Sequence, residues 1–406
     1  MRAAWVLLLA MWAGCTSTPD NQVVDAGNLR LVAGDRTDLP LPGLTPGWQT
    51  AFDRGDAVFD RAFLEGDGLG PLYIRSACAA CHAGDGRGPG LVEKMAQVEA
   101  DGVTPVPGQP LLPMGHTVRN QRSAGASHGI TAPDGVKVSV RVGPAVFGRG
   151  YMEAVADNAI LEEEARQAAR SDGISGRVNR VTYASQAGRD RGFGLHMPGD
   201  ANLIGRFGLK ARVVNLEDFA ADALQGDMGI TSPLRPTETP NPDGLLDDAL
   251  PGLDVDLATV EDLADYTRLL RIPARAAPPP GGPELFEQTL CAACHVPSLR
   301  TRVDHVVPQL ANVEAPIYSD LLLHDMGSLL ADGLTDGSAG PSEWRTAPLM
   351  GLRHFRTYLH DGRARTVKDA VEHHHGPGSE ANQSVELFRA LTTQQQDLLV
   401  LFVEQL

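Results

Sequence analysis

A mainly α fold in two units, each carrying one Cys-x-x-Cys-His segment, is predicted for this chain by three observations. Cys78-Ala79-Ala80-Cys81-His82 recurs as Cys291-Ala292-Ala293-Cys294-His295, once in each half. A short helical pattern containing Phe precedes each segment: Thr50-Ala51-Phe52 through Phe59 and Phe63, then Gly282 to Phe286 with Pro283 at a first-turn position. Between the halves, Ile272 to Pro283 carries three consecutive prolines, Pro278 to Pro280, and reads as a linker. The predicted units are therefore residues 46–271 and 284–406, joined by 272–283.

Taken in order, the chain begins with Met1-Arg2, an apolar run from Ala3 to Ala13, and Gly14-Cys15-Thr16. One basic residue, a short apolar stretch and small residues make a secretory leader over residues 1–14. About eleven apolar residues fall short of the ~20 a bilayer span requires. Ala13-Gly14-Cys15 resembles a bacterial lipobox, with Cys15 as the lipidated residue, although Trp12 replaces the usual leucine. Thr16 after the cysteine resembles outer-membrane sorting. Residues 15–45, polar and rich in Pro and Gly, read as a flexible tether. The expected location is the periplasmic side of an outer membrane, touching the bilayer only through that anchor.

The first unit is enlarged by a loop-rich insertion between about 84 and 200. Within it, Val136-Lys137-Val138-Ser139-Val140-Arg141-Val142 alternates with period two and predicts a strand in a short hairpin. Low aromatic content (5%) beside 44 Gly and 29 Pro suits loops wrapped around large apolar cofactors. With 51 acidic against 35 basic residues the formal charge is -16, which excludes a nucleic-acid partner and favours a cationic one, such as a basic cytochrome.

A c-type haem needs two thiols for its vinyl groups and one imidazole for its iron. Cysteines at i and i+3 reach one porphyrin edge, and the next residue brings its ring under the metal. Cys78, Cys81, Cys291 and Cys294 are thus read as covalent attachment points, with His82 and His295 as proximal ligands. One structural zinc shared by both pairs would need an intervening chain of roughly 15–20 residues, far shorter than this one. Redox dithiols lack a βαβ context here, and plain disulfides leave both histidines unexplained.

Downstream, Pro316 to Gly327 contains Leu321-Leu322-Leu323-His324-Asp325-Met326. It is followed by Glu343-Trp344-Arg345-Thr346-Ala347-Pro348-Leu349-Met350-Gly351, Tyr358-Leu359-His360-Asp361-Gly362-Arg363 and His373-His374-His375. The first half adds Asp172-Gly173-Ile174-Ser175-Gly176-Arg177, Gly205-Arg206-Phe207-Gly208-Leu209-Lys210 and Gly226-Asp227-Met228-Gly229-Ile230-Thr231. Over roughly residues 46–406 this succession resembles the di-haem oxidoreductase family of peroxidase-like proteins, and more distantly the bacterial di-haem cytochrome c peroxidases. The resemblance implies two cytochrome-c-like haem domains. It implies a sixth ligand to the C-terminal haem at His374, with Met326 and Met350 as rivals. Asp227 falls at the position of the distal acid of the N-terminal haem, with Glu153 as the next candidate. His116, His128, His196 and Met114 are candidates to close that haem instead.

His324 and His360, polar groups in apolar strings, are read with Arg345 and Arg363 as haem-pocket residues bonding the propionates. Leu209 and Met350 stand where the family commonly has tryptophan, which leaves Trp344 as the electron-relay candidate. Phe219 stands where the peroxidases have a distal glutamine. A calcium ion between the domains is implied by the resemblance, without a spacing that identifies its ligands. The expected function is peroxidase-like: electrons from a small redox protein enter at the C-terminal haem, and peroxide or a protein substrate reacts at the N-terminal one. The alternatives are a non-catalytic electron carrier with both irons six-coordinate and a haem-bearing accessory in metal uptake.

Overall fold

The structure is a computed structural model describing residues 36–88, 92–106, 112, 114–187, 191–193, 196–245 and 250–406, with the backbone of a hairpin pairing Val23–Ala26 and Leu29–Val32. The leader and Cys15 lie outside the described residues. Helices in chain order are α1 (Pro46–Asp60), α2 (Cys78–Cys81), α3 (Arg149–Ala154), α4 (Asp157–Ala168) and α5 (Leu216–Met228). They continue with α6 (Leu257–Leu269), α7 (Gly282–Gln288), α8 (Val367–His373), α9 (Asn382–Ala390) and α10 (Thr393–Glu404).

Two helix crossings frame the two Cys-x-x-Cys-His motifs. α1 starts on Thr45, whose hydroxyl accepts from the Trp48 amide, with Pro46 in its first turn. Its buried stripe of Ala51, Phe52 and Phe59 packs on α6. The crossing point is Gly55, where a Cβ would lie 2.1 Å from the Asp262 carbonyl oxygen. Only glycine lets the two backbones come this close. The second half repeats the device: α7 crosses α10, and a Cβ on Gly282 would lie 2.7 Å from that of Phe402. In each half, then, the helix preceding Cys-x-x-Cys-His is fixed against the last helix of its unit.

Three expectations need correction. First, 33% of the structure is helical and 13% is in strands, so the class is mixed rather than mainly α. The non-helical chain pairs into short two-stranded ladders that the helix periodicity does not announce. Second, the alternating segment forms the strand Lys137–Arg141, but its antiparallel partner is the distant Val92–Ala96, not a local hairpin arm. Alternation specifies a two-faced strand and says nothing about which strand it joins. Its faces are also inverted: Val138 and Val140 are exposed, while Lys137, Ser139 and Arg141 turn inward to the Ala331–Asp336 loop. Third, the expected tether is held before α1 begins, since the Leu41 amide donates to Leu269 O (2.8 Å) and that of Arg271 to Leu39 O (3.0 Å).

The largest apolar cluster spans both sides of the Pro-rich stretch. Phe52, Phe59, Met152 and Tyr266 from the first half share it with Leu299, Leu310, Ile317 and Met350 from the second. Residues 272–281 contain no helix or strand, and Arg275 in that stretch donates to Leu406 O and Pro316 O. Among the described residues no helix is long and apolar enough to cross a membrane.

Candidate functional site

At the second motif, α7 ends where the Thr289 hydroxyl caps Leu285 O (2.7 Å), and Leu290 takes a left-handed conformation (φ 59°). The chain turns sharply there and enters one 3-10 turn, Cys291–Ala293, closed by the His295 amide on Cys291 O (2.9 Å). His295 holds its Nδ1 on Tyr318 O (3.1 Å), which leaves Nε2 for a ligand bond. Burial, then His374 beside it, pushes His295 down to about 4, so its ring is neutral as a ligand must be. His374, capping α8, repeats the pattern: Nδ1 sits 2.6 Å from Ala370 O, and burial lowers its pKa as well.

Cys291, Cys294, His295 and His374 line one cavity of about 260 Å³. Met326 and Met350, the rival ligands, line it too, as do Trp344 and Leu209. Burial pushes the Cys291 thiol up to about 11 and raises that of Cys294. The residues fit a haem in a further way. Arg149 and Arg345 are buried (6% and 5% exposed) and Arg87 is half-buried; all three line the cavity. None of them has a carboxylate within ion-pair distance among the described residues; they donate instead to backbone carbonyls and, from Arg149, to the Met152 sulfur. Burial pushes Arg149 down to about 9, helped by repulsion from Arg345 and Arg87. Buried guanidiniums without counter-ions are costly, and the two propionates of a haem would supply the missing charge.

Of the four expected propionate partners, Arg345 and His360 line this cavity, and His360 stacks on Trp344 with ring centroids 3.7 Å apart. Burial pushes His360 down to about 3, which makes it neutral. Arg363 does not line it; it pairs with Asp361 at the surface (2.5 Å). His324 lines it, but both ring nitrogens are already taken, Nε2 by Asp320 (2.9 Å) and Nδ1 by Glu380 (2.8 Å). Its bonding partners are therefore protein carboxylates, not propionates. Arg87 and Arg149 line the cavity where Arg363 does not, and sequence reasoning missed them because they come from the other half of the chain.

His324 gives a stability prediction. Burial alone would lower its pKa, but the Cys294 sulfur and the Asp320 carboxylate beside it outweigh burial and raise it well above 6.5. A raised folded pKa adds stability that is complete below pH ~6.5 and is lost as pH rises through the folded value. His324→Leu strands the buried Asp320 and the half-buried Glu380 and should cost about 3–5 kcal/mol at pH 6. Denaturant unfolding at pH 6 and again at alkaline pH should show that cost shrinking as pH rises; a constant cost would refute the charged pair.

At the first motif, α2 is preceded by a stretch pinned to the end of α5: the Gly70 and Ile74 amides donate to Met228 O (3.1 Å) and Asp227 O (2.7 Å). His82 has Nδ1 on Gly86 O (3.3 Å) and its ring against Phe59, and burial pushes it down to about 4. Burial lifts Cys78 to about 12 and Cys81 to about 11, with Asp227 the strongest charge acting on Cys81. The Asp227 carboxylate has no hydrogen bond or ion pair among the described residues, and burial raises its pKa against the pull of Lys94. Lys94, on the strand Val92–Ala96 with Nζ on Thr117 Oγ1 (2.6 Å), carried no sequence signal.

Glu153 is differently placed. Its oxygens accept from buried Arg268 (2.5 and 3.1 Å) and from the Leu216 amide (3.0 Å), which clamps α3 to α6 and α5. That leaves Asp227 as the uncommitted carboxylate of the two. The other candidates are dispersed: His116 bonds Met95 O, His128 is exposed on Ser127, His196 packs on Tyr183, and Met114 is half-buried. Phe219 stacks on Phe207. Among the described residues, one group could hold a metal ion, Cys294 with Asp320 and His324. A thiol and an imidazole are not the oxygen set that calcium takes.

A family model described as "Di-haem oxidoreductase, putative peroxidase" matches residues 117–406. Three solved structures are similar over different spans. Hydrazine synthase of Kuenenia stuttgartiensis is 13% identical with a TM-score of 0.34, covering 100% of each chain. The di-haem peroxidase BthA of Burkholderia thailandensis is 13% identical with a TM-score of 0.32, covering 75% of this chain and 94% of its own. A MauG-like protein associated with microbial copper homeostasis is 16% identical with a TM-score of 0.26, covering 37% and 52%. No curated protein matches the chain.

Proposed function

This chain belongs to the di-haem oxidoreductase family, and we propose that it is a peroxidase-like enzyme with two covalently attached haems of unequal role. The C-terminal haem, bound through Cys291 and Cys294 and closed by His295 and His374, receives electrons. The N-terminal haem, bound through Cys78, Cys81 and His82, is where peroxide reacts. The observation that carries this reading is the pairing of His295 and His374 on one cavity, each held by Nδ1 to a backbone carbonyl so that Nε2 is the free ligand atom. When bound, an iron with both axial faces filled passes electrons, and one with an open face supplies a redox centre for O–O cleavage.

The chain's own residues supply the rest. Asp227 is free to take the proton from the near peroxide oxygen and return it to the departing one. Burial raises its pKa, and the charge of Lys94 opposes that rise. Trp344, stacked on His360 beside the closed haem, is the relay candidate. An acidic surface suits a small basic redox protein as donor. The Cys15 leader supports an exported, outer-membrane-anchored protein on the periplasmic side, where haem attachment takes place.

The test is haem staining on a denaturing gel with an intact mass, followed by the EPR spectrum of the oxidised protein. Two haems that survive denaturation, one low-spin and one high-spin before or after one-electron reduction, together with peroxide turnover, are expected. Two low-spin haems in both states without turnover would overturn the enzyme reading and leave an electron carrier.

A further inference from the structure

One short segment touches both haem sites. At Val142 its amide donates to His360 O (2.7 Å), tying it to the second half. Gly143 O then accepts from Gly88 (3.0 Å), and the Val146 amide donates to Asp85 O (2.9 Å), tying it to the loop after the first motif. Gly143 lies against the proximal ring of the first site: a Cβ there would stand 3.0 Å from His82 Cε1. Pro144, Ala145, Phe147 and Arg149 line the second cavity. The stretch from Gly143 to Arg149 is thus a partition with His82 on one side and the His295/His374 cavity on the other.

Arg149 is the charge this partition carries. It is buried, its Nε donates to Ala145 O (2.6 Å), and among the described residues no carboxylate pairs with it. Arg87 and Arg345, equally without carboxylates, share its cavity, so three guanidiniums face the two carboxylates a haem brings. One positive charge is left over.

We infer that Arg149 is an electrostatic element shared by the two haems, a buried cation on the partition that favours the reduced state of both irons. This rests on the two-haem reading above. A unit charge on the order of 10 Å from a redox centre, at an effective dielectric of about 20, shifts the oxidised-to-reduced ratio by about tenfold. The second-half ligands alone would confine such control to one haem; the position of Arg149 on the partition extends it to two.

The experiment is a spectroelectrochemical titration of the full-length holoprotein, wild type against Arg149→Met and Arg149→Lys. Haem content of the wild type is measured first; fewer than two haems would mean that the functional reading has failed, separately from this inference. With two haems loaded, Arg149→Met should lower both midpoint potentials by about 59 mV, the tenfold change for a one-electron couple, and Arg149→Lys should hold both near wild type. Either potential unmoved in Arg149→Met, or a fall in Arg149→Lys as large as in Arg149→Met, would overturn the shared role. Should Arg149→Met load fewer haems, Arg149→Lys decides alone: both midpoints held supports the inference, and both lowered overturns it.

Discussion

Replacing His374 by alanine is expected to convert the low-spin ferric signal of the C-terminal haem to a high-spin one, with both haems still covalently attached. The expectation follows from how the ring is held. Nδ1 is committed to Ala370 O inside the last turn of α8, so the ring cannot rotate away, and Nε2 is left for the iron. Its removal opens a coordination position without touching Cys291, Cys294 or His295. EPR of the oxidised variant reads the change directly. An unchanged spectrum would move the ligand to Met326 or Met350, which line the same cavity. His374→Met is a second reading of the same site: it keeps six ligands and should raise the potential, because a thioether stabilises the reduced iron better than an imidazole.

Asp227→Asn is expected to cut kcat/KM for peroxide by about 10²–10⁴, the usual yield of a positioned acid/base, and to leave both haem spectra in place. Because burial raises its pKa, the acid limb of the wild-type pH profile should fall above the ordinary carboxylate range. Activity is then lost as pH drops through that raised value, where the carboxylate can no longer accept a proton. Glu153→Gln supplies the contrast. It breaks a clamp on fully buried Arg268, so it should lower the unfolding midpoint, while turnover per folded molecule holds. Peroxide kinetics set beside thermal unfolding separates the two acids; equal loss of turnover in both would return Glu153 to the candidates.

Much of this was legible because the chemistry of a cofactor is written locally. Cys78, Cys81 and His82 must follow one another within a turn, and so must Cys291, Cys294 and His295; a reader needs no fold to see them. His374 is singled out in the sequence by resemblance alone, since nothing in three adjacent histidines says which one faces inward. The structure separates them by a local hydrogen bond at the end of α8. Glu153 and Asp227 looked alike as isolated acids, and only their neighbours distinguish them: one is saturated by Arg268 and the Leu216 amide, the other has no hydrogen-bond or ion-pair partner among the described residues.

The strand at Lys137–Arg141 shows the same limit. Its alternation was plain, yet its exposed valines and inward cations depend on Asp332 and Asp336, which lie in the other half of the chain. The sequence by itself determined the two Cys-x-x-Cys-His motifs and the acidic balance of the chain, because these depend on covalent spacing and composition. Tertiary structure alone decided which charges meet. Arg87 and Arg149 belong to the first half by number and to the cavity of the second motif by position, and His324 is held by Asp320 and Glu380. Such pairings arise from the folding of distant segments onto one another, and electrostatic energy depends on distance in space, which residue order does not encode.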